Sequence, residues 1–170
     1  MNIAVFGGSF DPWTSAHQEI SEKLSEKYDI VLVVPTTIRY YKNSSSMYSF
    51  EERLKTVRKN TFSIKNIQVL ELERNVPDSW RYIDTLREII KIYGEKNYYF
   101  TAIGSDSLQN FTTWACWGDI LKLSKLIVFN RPKYTENFPD IEYEYLDMEN
   151  YQSSTKIRNE INSVKRNPLS

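Results

Sequence analysis

The stretch Gly7-Gly8-Ser9-Phe10-Asp11-Pro12-Trp13-Thr14-Ser15-Ala16-His17 sets the chain's only histidine behind a pair of glycines. Two glycines in a strand-to-helix turn let backbone N–H groups approach an anion closely. A histidine at the helix start could donate from a ring nitrogen to a phosphate oxygen and stabilise charge as it develops there. Near the other end, Ser153-Ser154-Thr155-Lys156-Ile157-Arg158 places three hydroxyls where a helix opens, with Arg158 one turn in. Hydroxyls and unpaired N–H groups at that positive end bind phosphate oxygens, and arginine adds a charge-assisted fork. Taken singly, each has an ordinary counterpart: a glycine turn, a histidine on a surface helix, a serine helix cap. Taken together they suit a triphosphate.

The elements around them must bring these loops to one rim. Ile3 to Phe6 is a short apolar run ending in glycine, the profile of a buried parallel strand. Ser15 to Lys27 follows as a helix, with Ile20 and Leu24 on one face and Glu19, Glu22, Lys23 and Glu26 available to water. Ile30 to Val34 is a second buried strand, stopped by Pro35, so the chain opens as a βαβ unit. Thr36 to Tyr48 lacks a period and reads as a loop. Ser49-Phe50-Glu51-Glu52 then forms a capping box for a helix running to about Asn60.

Beyond it we expect a strand at Ile67 to Leu72, a helix at Tyr82 to Tyr93, a strand at Tyr98 to Ile103 and short helical pieces through Leu108 and Ile120 to Leu123. Leu126 to Phe129 and Glu142 to Leu146 complete the strands, and a closing helix is expected from Ser154 to about Val164. Such alternation implies a parallel sheet covered on both faces with right-handed crossovers. In an open sheet of that kind ligands bind beyond the carboxyl ends of the strands, which is where the glycine loop falls.

The composition narrows the function classes. The chain has 170 residues, enough for one domain with a real core; the expected division is 1–165 as that domain and 166–170 as a short tail. Lys plus Arg and Asp plus Glu are 22 each, so no global basic field points to nucleic acid and any anion site must be built locally. No run approaches the length of a membrane span and no basic leader precedes Ile3, which gives the expectation of a cytoplasmic protein with no membrane partner. The single cysteine, Cys116, cannot close an internal disulfide and reads as a packing residue. Twelve tyrosines, Tyr40, Tyr41 and Tyr48 among them, leave stacking on a flat ligand or self-association open.

The first stretch resembles the GxFDPxHxGH signature of the nucleotidylyltransferase superfamily, and Ser153 to Arg158 its ISSTxIR motif, with Gln152 at the leading position. Ile103-Gly104-Ser105-Asp106-Ser107-Leu108 followed by Trp114, Phe129-Asn130-Arg131-Pro132, and Ile83-Asp84-Thr85-Leu86 are similar to patterns of the bacterial nicotinate mononucleotide adenylyltransferases. The resemblance spans nearly the whole chain. It implies a Rossmann-like, doubly wound single-domain α/β fold. It also implies transfer of AMP from ATP, with Mg2+, to nicotinate or nicotinamide mononucleotide, releasing pyrophosphate.

Residue by residue, the resemblance implies that Gly7, Gly8, Ser9 and Phe10 line the phosphate cleft and that His17 holds the ATP phosphates. Ser153, Ser154, Thr155 and Arg158 would hold the leaving pyrophosphate. Gly104 and Asp106 would meet the adenosine ribose, with Arg131 also on the nucleotide side. Lys42 falls where the family has a lysine that can close over the α-phosphate; a solvated loop lysine is the alternative. Trp114 would stack on the pyridine ring, or else belong with Trp117 to the core or an interface, and Thr85 would lie on the mononucleotide side.

Three positions depart from the pattern: Thr14 stands for the first histidine of HxGH, Ala16 for its glycine, and Trp13 where proline is common. Threonine can donate a hydrogen bond but brings no charge. It also resembles the phosphopantetheine adenylyltransferases, so that activity is an alternative, as is an ATP-binding relative without catalysis. Trp80-Arg81-Tyr82 and Arg39-Tyr40-Tyr41 also differ from the family, in segments that touch the second substrate there. A dinucleotide-binding domain is excluded because Gly7-Gly8 lacks GxGxxG spacing and no acidic residue ends the second strand.

Overall fold

The computed structural model describes residues 1–37, 47–130, 137–148 and 161. The expected Lys42, Arg131, Ser153, Ser154, Thr155 and Arg158, the closing helix and the tail lie outside the described residues. Six strands form one parallel sheet: β1 (Asn2–Gly8), β2 (Ile30–Pro35), β3 (Ile67–Val69), β4 (Tyr98–Gly104), β5 (Lys125–Phe129) and β6 (Tyr143–Leu146). Their order is β3-β2-β1-β4-β5-β6, every neighbouring pair parallel. The order reverses between β1 and β4, the position where such sheets open a ligand crevice. This is the doubly wound architecture that the alternation of runs predicts.

Side-chain alternation along the strands divides the core in two. Ile3 and Val5 of β1 point to one face with Leu32, Val34, Ile103, Leu126 and Val128. There they are covered by α3 (Tyr82–Tyr93), α4 (Ser105–Gln109) and α5 (Trp117–Leu123), with a 3-10 turn at Phe111–Thr113 between the last two. Ala4 and Phe6 point the other way with Val31, Val33, Ala102, Ile127 and Phe129, beneath α1 (Ser15–Lys27) and α2 (Phe50–Thr61). Strands buried on both faces explain why they read as continuous apolar runs.

The Ser49 capping box forms as expected: the Glu52 N–H donates to Ser49 Oγ at 3.2 Å and the Ser49 N–H to Glu52 Oε2 at 2.8 Å. Two local readings change. The third strand ends at Val69 rather than Leu72, because the chain turns at Glu71 to Arg74, where the Arg74 N–H donates to the Glu71 carbonyl and its guanidinium pairs with Glu71 and Glu51. Cys116 is not a packing residue: it is exposed and caps the start of α5 in the left-handed region, at φ 55°.

Candidate active site

The glycine loop leaves β1 at the reversal point and folds back over its own strand. Phe10 adopts φ 49°, a left-handed conformation that costs a phenylalanine about 1 kcal/mol or more and persists only where surroundings hold it. Here they do. Its ring is 2% exposed and meets Phe6 edge-on at 5.3 Å, His17 at 5.1 Å and Trp13 at 5.0 Å. The second glycine exists for this ring: a Cβ on Gly8 would lie 2.9 Å from Phe10 Cε1 and 3.1 Å from Cζ. Packed among three other rings, Phe10 has nowhere to retreat. Gly8→Ala is therefore expected to cost about 1–3 kcal/mol, read as a lower urea midpoint; an unchanged midpoint would mean that the ring shifts freely.

The start of α1 settles what kind of residue His17 is. The reading as a surface helix residue is overturned, since the side chain packs on Phe6, Phe10 and Trp13 and is buried. Its position has a cause. His17, Ile20 and Leu24 recur at helical spacing and all face the sheet. Thr14 is the N-cap: the His17 N–H donates to Thr14 Oγ1 at 3.3 Å, and the Thr14 N–H donates to His17 Nδ1 at 2.9 Å. A capping box normally ends in glutamate or glutamine; histidine takes that place here. Because Nδ1 accepts a backbone hydrogen bond, the ring proton of the neutral imidazole resides on Nε2. The ring of His17 thus has its donor on Nε2 and its orientation fixed by Thr14. Thr14, the departure from the family's first histidine, is 4% exposed and supplies the cap that makes this possible.

Gly104 and Asp106 reach the same rim. β4 pairs with β1 as far as Phe6 and Ala102, and Gly8 and Gly104 lie two residues beyond, at the carboxyl ends of these neighbouring strands. Gly104 is buried, and Asp106 lies in the first turn of α4. Gly7, Gly8, Ser9, Phe10, Thr14, His17, Gly104 and Asp106 are therefore gathered around the reversal point. Thr85 and Trp114 lie on the face of the sheet opposite α1 and His17, the face that α4 also covers. Thr85 is 1% exposed and its hydroxyl accepts from Trp80 Nε1 at 2.8 Å, while Trp114 packs against Phe111 at 5.2 Å and Tyr82 at 5.8 Å. Tyr82 is itself fixed, its hydroxyl 2.8 Å from Thr101 Oγ1, which is 2.7 Å from Ser124 Oγ. Burial pushes the Tyr82 phenol above its ordinary range, so it stays a neutral hydrogen-bonding group.

Two residues at the rim escaped the sequence reading. Asp11 is 1% exposed and its carboxylate accepts from the Met47 N–H at 3.0 Å and the Tyr48 N–H at 2.9 Å. Arg53, on α2, is 4% exposed and donates to the carbonyls of Ser9 at 2.7 Å, Thr36 at 2.8 Å and Tyr48 at 3.3 Å. Burial pulls its guanidinium below the ordinary arginine value, and the Asp11 carboxylate opposes that shift. The available signal was spacing: positions 50, 53, 54, 57 and 61 make one helical stripe, and Arg53 sits inside it.

Comparison with known proteins agrees with this geometry. Residues 5–160 match the family described as cytidylyltransferase-like. A Fusobacterium nucleatum protein named "Probable nicotinate-nucleotide adenylyltransferase" is 33% identical, the alignment covering 95% of this chain and 88% of that protein. One of the same name from Acholeplasma laidlawii is 30% identical, over 94% of this chain and 86% of its own. Among solved structures, Plasmodium falciparum nicotinic acid mononucleotide adenylyltransferase complexed with NaAD superposes with a TM-score of 0.75, covering 97% of this chain and 89% of that one. At 22% identity that likeness speaks for the fold. A parallel sheet that reverses beside a glycine loop, and a match running from β1 almost to the end of the chain, lead to one assignment: the protein belongs to the cytidylyltransferase-like family.

Proposed function

We propose that this protein transfers AMP from ATP to nicotinate mononucleotide or its amide, giving deamido-NAD or NAD and pyrophosphate. The observation that carries the reading is the placement of His17 at the start of the helix that follows the glycine loop at the sheet reversal, its ring held through Nδ1 by the Thr14 N–H. The names of the full-length relatives support the substrate.

In this reading the phosphate of the mononucleotide attacks the α-phosphorus of ATP in line, the new P–O bond forming as the bond to pyrophosphate breaks. No protein nucleophile is required; the protein positions two anions and spreads charge. Gly7, Gly8, Ser9 and Phe10 contribute backbone to the phosphate cleft, and His17 donates to oxygens whose charge grows in the transition state. Thr14 serves catalysis through His17, as its cap. Ser153, Ser154, Thr155 and Arg158 take the leaving pyrophosphate, Lys42 closes over the α-phosphate, and Arg131 assists on the nucleotide side. Gly104 and Asp106 hold the ribose. Trp114 offers its ring to the pyridine base, and Thr85 acts through the Trp80 indole that it binds. Magnesium bound with the triphosphate would supply charge neutralisation at its oxygens; among the described residues no cluster of three or more His, Cys, Asp or Glu could hold a metal ion. No helix among the described residues is long and apolar enough to cross a membrane, and we place the enzyme in the cytoplasm with small-molecule substrates.

The test is pyrophosphate release from ATP and magnesium with nicotinate mononucleotide, nicotinamide mononucleotide and phosphopantetheine in separate reactions. Turnover with either pyridine mononucleotide supports the proposal and names the preferred one. Turnover with phosphopantetheine alone would move the chain to that activity, and ATP binding without any turnover would mark a non-catalytic relative. Within the proposal, Asp106→Ala is expected to raise the KM for ATP about tenfold, the worth of a hydrogen bond to a charged group, with a smaller change in kcat. An unchanged response to ATP would assign Asp106 a structural role.

A further inference from the structure

Arg53 is a cation buried at the rim without a place in the chemistry described so far. Three segments meet on it: the glycine loop through Ser9, the end of β2 through Thr36, and the approach to α2 through Tyr48. One nitrogen, Nη1, bridges the first two, and Nε takes the third. Asp11 grips the last of these segments from the other side, accepting the Tyr48 N–H while Arg53 donates to the Tyr48 carbonyl. The guanidinium also lies over the Phe50 ring, 5.3 Å from its centre, which fixes the fork in its plane.

The consequence follows from peptide geometry. A trans peptide is planar, with its C=O and N–H on opposite edges. Holding the Ser9 carbonyl toward α2 therefore turns the Phe10 N–H away from α2, and holding the Thr36 carbonyl does the same for the Thr37 N–H. Phe10 is the left-handed residue of the loop, a strained conformation that persists only where its neighbours hold it, and the Ser9 carbonyl held by Arg53 belongs to the peptide that enters it.

We propose that Arg53 is a positioning residue of the nucleotide site: by fixing the Ser9 and Thr36 carbonyls it orients the Phe10 N–H of the glycine loop and the Thr37 N–H beyond β2 toward the phosphates of ATP. The inference rests on the ATP-dependent reading above and deepens it. Arg53 touches no substrate. It acts through the backbone, and its effect is specific to the phosphate portion of the ligand.

That specificity makes the test. ATP and adenosine are titrated against wild type, Arg53→Met and Arg53→Lys, with thermal midpoints recorded for each. Arg53→Met keeps the length of the stem but removes the charge and all three hydrogen bonds to the backbone carbonyls. It is expected to weaken ATP about tenfold or more, the worth of a hydrogen bond to a charged group once the backbone N–H loses its fixed aim, while adenosine changes by less than about twofold. Arg53→Lys keeps the charge but not the fork, and the expected result is a smaller loss in the same direction, again confined to ATP. This variant decides the matter if Arg53→Met does not fold. Equal losses for ATP and adenosine would overturn the proposal, since a general disturbance of the domain would do that; so would ATP affinity unchanged in either folded variant. Wild-type protein that neither binds ATP nor releases pyrophosphate would instead bring down the adenylyltransferase reading itself.

Discussion

His17→Ala is expected to lower kcat by about two to three orders of magnitude, the usual effect of removing one donor aimed at developing charge. The imidazole also has a second duty, and the two must be separated. Its Nδ1 accepts the Thr14 N–H at 2.9 Å, in a place where both residues are buried. Alanine leaves that N–H without its acceptor, which costs about 1–3 kcal/mol in stability, so a loss of activity in His17→Ala alone could be a loss of the helix start. His17→Asn distinguishes them. Its side-chain oxygen can accept the Thr14 N–H, as short polar residues do in such turns, but no nitrogen reaches the Nε2 position. The expected outcome is a thermal midpoint close to wild type with kcat as low as in the alanine variant. Should His17→Asn restore turnover along with stability, the histidine is a cap and the proposed transition-state role is wrong; full activity in His17→Ala would dispose of both.

His17 also shows how much of the site was legible beforehand. Its helical register with Ile20 and Leu24 is written in the sequence, and that register alone predicts burial. What spacing could not give is the tautomer, because it depends on Thr14 closing a capping box with an unusual partner. The sheet was legible for a simple reason: strands covered on both faces are apolar throughout, so β1, β2, β4 and β5 announce themselves. β3 was harder. Among the described residues it is an edge strand paired with β2 alone, and it ends after Val69, although Leu70 and Leu72 prolong the apolar pattern.

Arg53 and Asp11 were missed because charge is ordinarily assigned to solvent. Both are buried by serving backbone groups of distant segments, a service that no local pattern encodes. Cys116 was misread for the converse reason: an apolar thiol suggests packing, but the turn into α5 needs a left-handed residue at an exposed corner. Thr85 was named from a motif, and in the fold its buried hydroxyl accepts from the Trp80 indole.

The largest effect on stability is expected at Phe6. Its ring is 2% exposed and lies among Phe10 at 5.3 Å, Phe129 at 5.8 Å, His17 at 6.1 Å and Trp13 at 6.5 Å. Removing it opens a void lined by other rings, which cannot collapse without pulling the glycine loop off β1. Phe6→Ala should therefore cost about 3–5 kcal/mol, a large share of the roughly 5–15 kcal/mol that holds a domain folded. Phe62→Ala is the control, because that ring is 85% exposed and its loss should stay within about 0.5 kcal/mol. Urea unfolding reads both, through the midpoint at constant slope. Phe6→Leu, which fills most of the void, permits kinetics on folded protein. If the aromatic cluster is what sets His17 and Phe10 in place, this variant should lose kcat by more than its small change in stability accounts for, since saturating substrate cannot restore a displaced donor. A Phe6→Leu enzyme with wild-type kcat would show that the capping box and Arg53 suffice to hold the loop, and that the rings beneath it contribute stability alone.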